Sequence, residues 1–378
     1  MEVLHICSYY IGSKIYKNLV KELSQEGIKQ HIFIPIKNEK LIGENELLDE
    51  SININYYYKT ILKKHDKYLY HNKINKQMKE IEKNQILDQD IDYIHAHTIF
   101  SDGGTAYKIK RKYNIDYAVA VRDTDINVFY KYAIHLRPFM NKILLNANKI
   151  VFISYAYKNL LFSLLPKNIL SEIEKKCVVI PNGIDNFWHN IPVENHKRNN
   201  GQALNLLFMG SLIKRKNLET LIFACSELYK EGYNVFLQVI GNGPLEEESK
   251  NLCQKLNISE KVRFHGYIND KEKIRSIMDK CDIFILPSLT ETFGLVYVEA
   301  MSRGIPVIYS QNQAIDGFFN EGEVGFGVPS LSPDMIVNAI KKINENYVEI
   351  SQSCIEKSKL FNWNIISRKY IEIYNGKL

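Results

Sequence analysis

The chain has 378 residues, 45% hydrophobic and 24% charged, which excludes a disordered or fibrous protein and exceeds what one compact core holds. Its net charge of +6, from 49 Lys and Arg against 43 Asp and Glu, is too small an excess over this length to indicate nucleic acid. No stretch approaches the ~18 consecutive apolar residues of a membrane span. The head, Met1-Glu2-Val3-Leu4-His5-Ile6-Cys7, reads as a core strand rather than a signal peptide. Six cysteines lie scattered without a C-x-x-C pair and read as reduced, buried hydrophobes, so a cytoplasmic location and no structural metal are expected.

Along the first half, short apolar runs alternate with helical patterns. Val3 to Cys7 reads as a strand, Lys14 to Glu26 as a helix stopped by Gly27, and His31 to Pro35 as a second strand. Further strands are expected at Ile91 to Ala96, Tyr117 to Val121 and Ile150 to Ile153, with helices near Asp102 to Tyr113 and Phe129 to Ala147. Residues 59–83 are rich in lysine, with Tyr56, Tyr57, Tyr58, Tyr68 and Tyr70 in or beside the stretch. This segment suits an anionic membrane face or a pyrophosphate-carrying acceptor lipid, and equally a solvated helix face.

Residues 186–202, with Pro192, Asn199, Asn200 and Gly201, read as a linker, and the alternation restarts after it. Strands are expected at Leu204 to Met209, Val235 to Ile240, Val262 to Phe264, Asp282 to Leu286 and Pro306 to Tyr309. The βαβ alternation in both halves predicts parallel sheets covered by helices, with ligands at the carboxyl ends of the strands. The expected division is an N-terminal domain over 1–185, the linker, a second domain over 203–360, and a last helix over 361–378.

The densest chemistry lies in Pro287 to Met301, where an apolar strand turns through Phe293-Gly294 into a helix carrying Glu299, with Glu291 eight residues before it. A helix start exposes unpaired N–H groups and partial positive charge, which suits a diphosphate. A carboxylate just ahead of that start and another two turns inside it can grip hydroxyls on either side of the phosphates. Lys216 and Arg215 follow the strand that ends at Gly210, where cations offset a diphosphate's charge.

With Gly210 to Asn217, Gly241-Asn242-Gly243-Pro244, Val262 to Tyr267 and Pro181-Asn182-Gly183-Ile184-Asp185 in the same order, the chain resembles the family-4 retaining, or group 1, glycosyltransferases. The resemblance implies an α/β fold of two facing Rossmann-like domains (GT-B architecture), with a deep interdomain cleft and a C-terminal helix crossing back to the first domain. It implies a nucleotide-sugar donor, a UDP-sugar by preference, with no prosthetic group and no metal. The acceptor would be a glycan or lipid-linked saccharide, and the setting bacterial surface polysaccharide synthesis on the inner face of the membrane.

By the same resemblance, Glu299 takes the ribose hydroxyls and Glu291 the donor-sugar hydroxyls, while Phe293, Gly294 and Leu295 present amides to the diphosphate. Ile268 reads the base through backbone groups. Lys273 reaches base or ribose, or is a surface lysine. Gly241 and Asn242 sit at a strand end that can approach the ligand closely. In the first domain Gly12 and Ser13 approach the diphosphate. Two departures stand out: Ser211 replaces a usual arginine, with Arg215 available to compensate, and Arg122 stands where a histidine is usual. Arginine cannot act as a base, but it can hold a sugar hydroxyl or a leaving phosphate. His97, after its strand, is the remaining catalytic candidate, and His95 reads as a core histidine. Two other readings are an epimerase of the same architecture and a non-catalytic nucleotide-sugar-binding partner subunit.

Overall fold

The computed structural model describes residues 1–49, 52–67, 69–190 and 203–378. The chain forms two compact units, Met1–Ile153 with Tyr157–Gly183 and Trp363–Leu378, and Ser154–Ala156 with Ile184–Asn362.

The first unit is built on seven strands, β1 (Glu2–Ile6), β2 (Lys29–Ile36), β3 (Ile54–Thr60), β4 (Tyr93–Ala96), β5 (Asp116–Val121), β6 (Lys149–Phe152) and β7 (Cys177–Val179). They pair in parallel in the order β3-β2-β1-β4-β5-β6-β7. The central strands are continuous apolar runs because helices cover both faces, leaving Val3, Leu4, Ile6 and Ala118 to Val121 with no exposed surface. The last helix, Trp363–Tyr374, belongs to this unit: Trp363, Ile366, Tyr370 and Ile373 are buried with Val3, Leu19 and Leu23.

The second unit holds β8 (Leu204–Met209), β9 (Val235–Ile240), β10 (Val262–Phe264), β11 (Ile283–Leu286), β12 (Val307–Ser310) and β13 (Gly325–Val328). Its parallel sheet runs β10-β9-β8-β11-β12-β13. Both units are therefore Rossmann-like, and in each the strand order reverses beside the first strand, between β1 and β4 and between β8 and β11. Such reversals are where open α/β sheets bind ligands, at the carboxyl ends of the strands.

Several elements depart from the sequence reading. Residues 56–60, counted with the basic stretch, pair as β3, and Tyr56 packs its hydroxyl 3.2 Å from that of Tyr10. Strand β13 went unseen because its glycines hide the apolar pattern. A Cβ at Gly325 would lie 1.8 Å from the Val307 carbonyl, so only glycine lets β13 pair there. The long helix expected over 129–147 is a wide turn over Asp125–Tyr130 and a separate helix Arg137–Asn146, opened by Pro138 in its first turn. Within the expected linker, Phe187–Asn190 is a helical turn that buries Trp188, a large apolar anchor that a solvated connector would not carry. The rest of that linker, 191–202, lies outside the described residues.

Parallel register places His5 opposite His95, and His97 follows two residues later on the same face. The His95 and His97 rings stack at 4.0 Å between centroids, and His5 Nδ1 lies 3.0 Å from His97 Nε2. Candidate ligand atoms of the three rings lie within 4.8 Å of one another, a grouping hidden from linear spacing because it joins two strands. Stacked rings do not converge their lone pairs on one point, so the cluster reads as a neutral core stack. Burial depresses all three histidines, His5 to about 3. A depressed histidine contributes stability that is present above its unfolded value and lost as pH falls. At pH 5, His5 alone costs the folded state about 2 kcal/mol. Chemical denaturation should show stability falling steadily below pH 6.5, and a His5→Gln variant should lose less between pH 7 and pH 5.

Candidate donor site at the β8–β11 reversal

The loops that leave β8 and β11 meet at the reversal of the second sheet. Leu289 donates its amide to the Arg215 carbonyl (2.8 Å), and Asn217, itself in the left-handed region (φ 56°), ties Pro287 (3.0 Å) and Ser330 (2.5 Å) through its amide nitrogen. These bonds hold the two loops in register and bring their charged side chains together. Lys216 donates to Glu291 Oε2, and Arg215 Nη1 lies 3.6 Å from the same oxygen while donating to the Thr290 carbonyl at 2.7 Å. Lys216 and Glu291 expose only 13% and 9% of their side chains, so neither charge is left to water alone.

A third loop, after β12, fixes Glu291. Gln313 accepts the Glu291 amide at 2.9 Å, and Ala314 donates to the Glu291 carbonyl at 3.0 Å. Asn312 and Ala314 both hold positive φ, 58° and 52°, to make this turn. The sequence reading missed Gln313 as a positioning residue, because its contact with Glu291 joins loops 22 residues apart.

The backbone then enters the helix Leu295–Ser302 through Gly294 at φ 72°. A Cβ there would meet the Tyr297 ring at 2.7 Å, so glycine is required by both conformation and space. The amides of Gly294, Leu295 and Val296 precede the first helical carbonyls and have no acceptor inside the helix. Phe293 contributes backbone only, because its ring is buried against Phe361 and Phe318.

Glu299 lies half-buried on that helix and accepts from the Trp188 indole, near the Lys271–Asp185 ion pair. Desolvation raises its carboxyl to about 7, with Lys271 and Trp188 opposing the rise. The Trp188 contact is a partner the sequence reading did not foresee, since it comes from the segment taken as linker.

Other expected contacts are placed as follows. Gly241 (φ 134°) and Gly243 are glycines because side chains would strike the Gly210 and Leu212 carbonyls, at 2.0 and 2.4 Å. Their need is thus met by loop-on-loop packing, not by a ligand. Asn242 is exposed and its carbonyl accepts the Leu212 amide. Ile268 is half-buried, and Lys273 is exposed on the helix Lys271–Met278.

In the first unit, Ser13 caps the helix Lys14–Gln25, its hydroxyl accepting the Ile15 amide at 3.3 Å. A side chain at Gly12 would meet nothing within 4 Å, so the fold itself does not require glycine there. His97 is a correction. Expected at an open strand end, it is 1% exposed, because its amide continues the β1 pairing by bonding to Ile6 (3.1 Å) and its ring joins the histidine stack. Arg122 lies over the Tyr16 ring (5.7 Å), with Nε 3.3 Å from the His97 carbonyl. Both Asp125 oxygens accept amides, of Ile99, Phe100 and Arg122, while Asp123 is exposed beside Asn127.

Glu299 supplies a test with a definite sign. An acid whose folded value is raised holds stability at low pH and loses it as pH rises through about 7. Glu299→Gln should therefore melt higher than the parent at pH 8, with the gap narrowing as pH falls toward the unfolded carboxyl's 4.5, as read by thermal scans.

A profile of the family described as "Glycosyl transferases group 1" matches residues 193–361, and one of "Glycosyltransferase Family 4" matches residues 13–186. An uncharacterized glycosyltransferase of Methanocaldococcus jannaschii, MJ1178, is 26% identical over 287 residues, 75% of each chain. The phosphatidyl-myo-inositol mannosyltransferase of Mycobacterium tuberculosis is 26% identical over 212 residues, 52% of this chain and 53% of that one. With most of the curated relatives it matches, the chain aligns over about half of their length. Anabaena HepE in complex with UDP shares the fold over 100% of both chains, with a TM-score of 0.70 at 16% identity.

Proposed function

The chain belongs to the group 1, family 4 glycosyltransferases, and on that premise we propose that it moves a sugar from a nucleotide diphosphate, a UDP-sugar by preference, to a glycan or lipid-linked saccharide with retention at the anomeric carbon. The observation that carries this reading is the Lys216–Glu291 pair, with Arg215 beside it, at the reversal of the second sheet and next to the open amides of Gly294 to Val296. The relatives named for polysaccharide and glycolipid synthesis, among them an O-antigen glycosyltransferase of Escherichia coli, support an acceptor of that class.

The chemistry follows from the charges. Lys216 and Arg215 leave Glu291 for the incoming diphosphate and, with the helix amides, stabilise the negative charge that grows as the sugar–phosphate bond breaks. Glu291, released from its cations, accepts hydrogen bonds from donor-sugar hydroxyls, and Glu299 accepts from the ribose. As the anomeric carbon gains oxocarbenium character, the acceptor hydroxyl attacks from the face the phosphate leaves. Its proton passes to the departing phosphate oxygen, so no protein base is needed and the arginine at position 122 is compatible with turnover. Association with an anionic membrane face, through exposed lysines such as Lys64, Lys79 and Lys83, is part of the same proposal.

UDP release from a panel of UDP-sugars, with saccharide acceptors present, tests the reading. Glu291→Ala and Lys216→Ala should each lower turnover by at least ~10², with the product anomer unchanged from the donor by NMR. Release of a C2-epimer without acceptor would replace the transferase reading by an epimerase. Absence of turnover with every donor, together with retained UDP binding, would leave a nucleotide-sugar-binding subunit.

A further inference from the structure

The first unit carries a pocket of about 220 Å³ at the carboxyl ends of its strands, on the β1 side of the reversal. Ser8 and Tyr9 line it after β1, Lys37 after β2, and Leu62 with Lys63 and Lys64 after β3. Lys73 and Tyr70, one turn apart on the helix Tyr70–Lys83, close the other wall. At about 30 Å³ per water, the space holds about seven waters, enough for a phosphate or diphosphate group.

The charge balance of this wall is one-sided. Four ammonium groups, Lys37, Lys63, Lys64 and Lys73, line it against one carboxylate, Asp66. Asp66 is already neutralised: it is 3% exposed, accepts Lys76 Nζ at 2.8 and 3.1 Å, and accepts the Lys63 amide at 2.6 Å. Asp66 therefore shapes the turn that presents Lys63 and Lys64 and leaves little charge to offset them. Asp102, behind the pocket, is occupied by Ser8, through its amide (3.0 Å) and hydroxyl (2.5 Å), and by the Thr98 hydroxyl (3.0 Å).

The Lys73 ammonium makes no hydrogen bond or ion pair among the described residues, and burial lowers its pKa by penalising the charge, with the more distant Asp102 and Asp66 carboxylates opposing that shift. The Tyr70 hydroxyl is buried without a partner among the described residues. A desolvated lysine left unpaired beside three others is costly unless an anion joins it.

We propose that this pocket binds an anionic phosphate or diphosphate on the acceptor, so that the saccharide to be extended is phosphate-linked. The proposal rests on the transferase reading, because it assigns the acceptor of that reaction. Lys73 is the central contact, and Lys37, Lys63 and Lys64 complete the cradle. Both a polyprenyl diphosphate saccharide and a soluble glycosyl phosphate present this chemistry.

The test is calorimetric titration of the full chain with inorganic pyrophosphate in saturating UDP, repeated with neutral phosphatidylcholine vesicles that carry or lack a polyprenyl diphosphate. Pyrophosphate should bind, and Lys73→Met should weaken it at least ~10-fold, the loss expected for one charge-assisted contact. UDP affinity should stay within twofold. The double variant Lys37→Ala/Lys64→Ala, at exposed positions, guards against a folding defect at Lys73 and should weaken pyrophosphate likewise. Recruitment by diphosphate-bearing vesicles identifies a lipid source, and binding of soluble pyrophosphate alone identifies a soluble one; each upholds the site. Unchanged pyrophosphate affinity in both variants, no pyrophosphate binding by the parent, or binding only to anionic phosphatidylglycerol vesicles overturns it. Should UDP itself fail to bind, the donor assignment falls, while the Lys73 dependence still decides the pocket.

Discussion

An ion pair between two shielded side chains is the feature on which the proposed donor site depends. Glu291 and Lys216 are each too shielded to stand alone, so the free protein pairs them and lets Arg215 approach the same oxygen. A ligand that draws the cations away must satisfy the carboxylate in return. A sugar diphosphate does both with one molecule, offering negative oxygens to the lysine and hydroxyl donors to the glutamate. In the proposed donor site this exchange would select for such a bifunctional ligand, because an anion without hydroxyls would leave Glu291 buried and bare.

The surroundings serve that exchange by removing freedom. Asn217 bridges two loops, Gln313 anchors a third, and three residues with side chains adopt left-handed backbone to do so. The cost of those conformations is borne by a sheet whose strands are buried on both faces. The glycines at 241, 243 and 325 belong to the same economy of space, letting neighbouring backbones approach where any Cβ would collide.

Much of this was legible in the sequence because it is local. Strand and helix periods gave two parallel sheets covered by helices, and the carboxylates, cations and Gly294 fall along segments whose geometry a strand-to-helix turn dictates. What was not legible depends on register between distant strands or on packing. The histidine stack needs β1 beside β4 before His5 and His95 can meet, so His97 looked like an open strand-end residue. Trp188 is an anchor only once the helix bearing Glu299 lies beneath it. Strand β13 is half glycine, and glycine carries no hydrophobic signal. The lysines of 59–83 looked like a uniform basic stretch; only tertiary contact separates Lys76, spent on Asp66, from Lys73, which is unspent.

The helix Trp363–Tyr374 has an implication for biosynthesis. Gly183 lies flush against the Trp363 ring, where a Cβ would be 2.6 Å away, and His95 reaches Tyr374 at 2.8 Å. The first unit thus waits for Trp363–Tyr374 to leave the ribosome before its hydrophobic interior can shut, although its sheet emerges first. The later half, contiguous from Ile184 to Asn362 apart from three residues, can mature earlier. A nascent chain stalled before Trp363 would hold Val3, Leu19 and Leu23 open to chaperones, reversing the order in which N-terminal domains ordinarily finish.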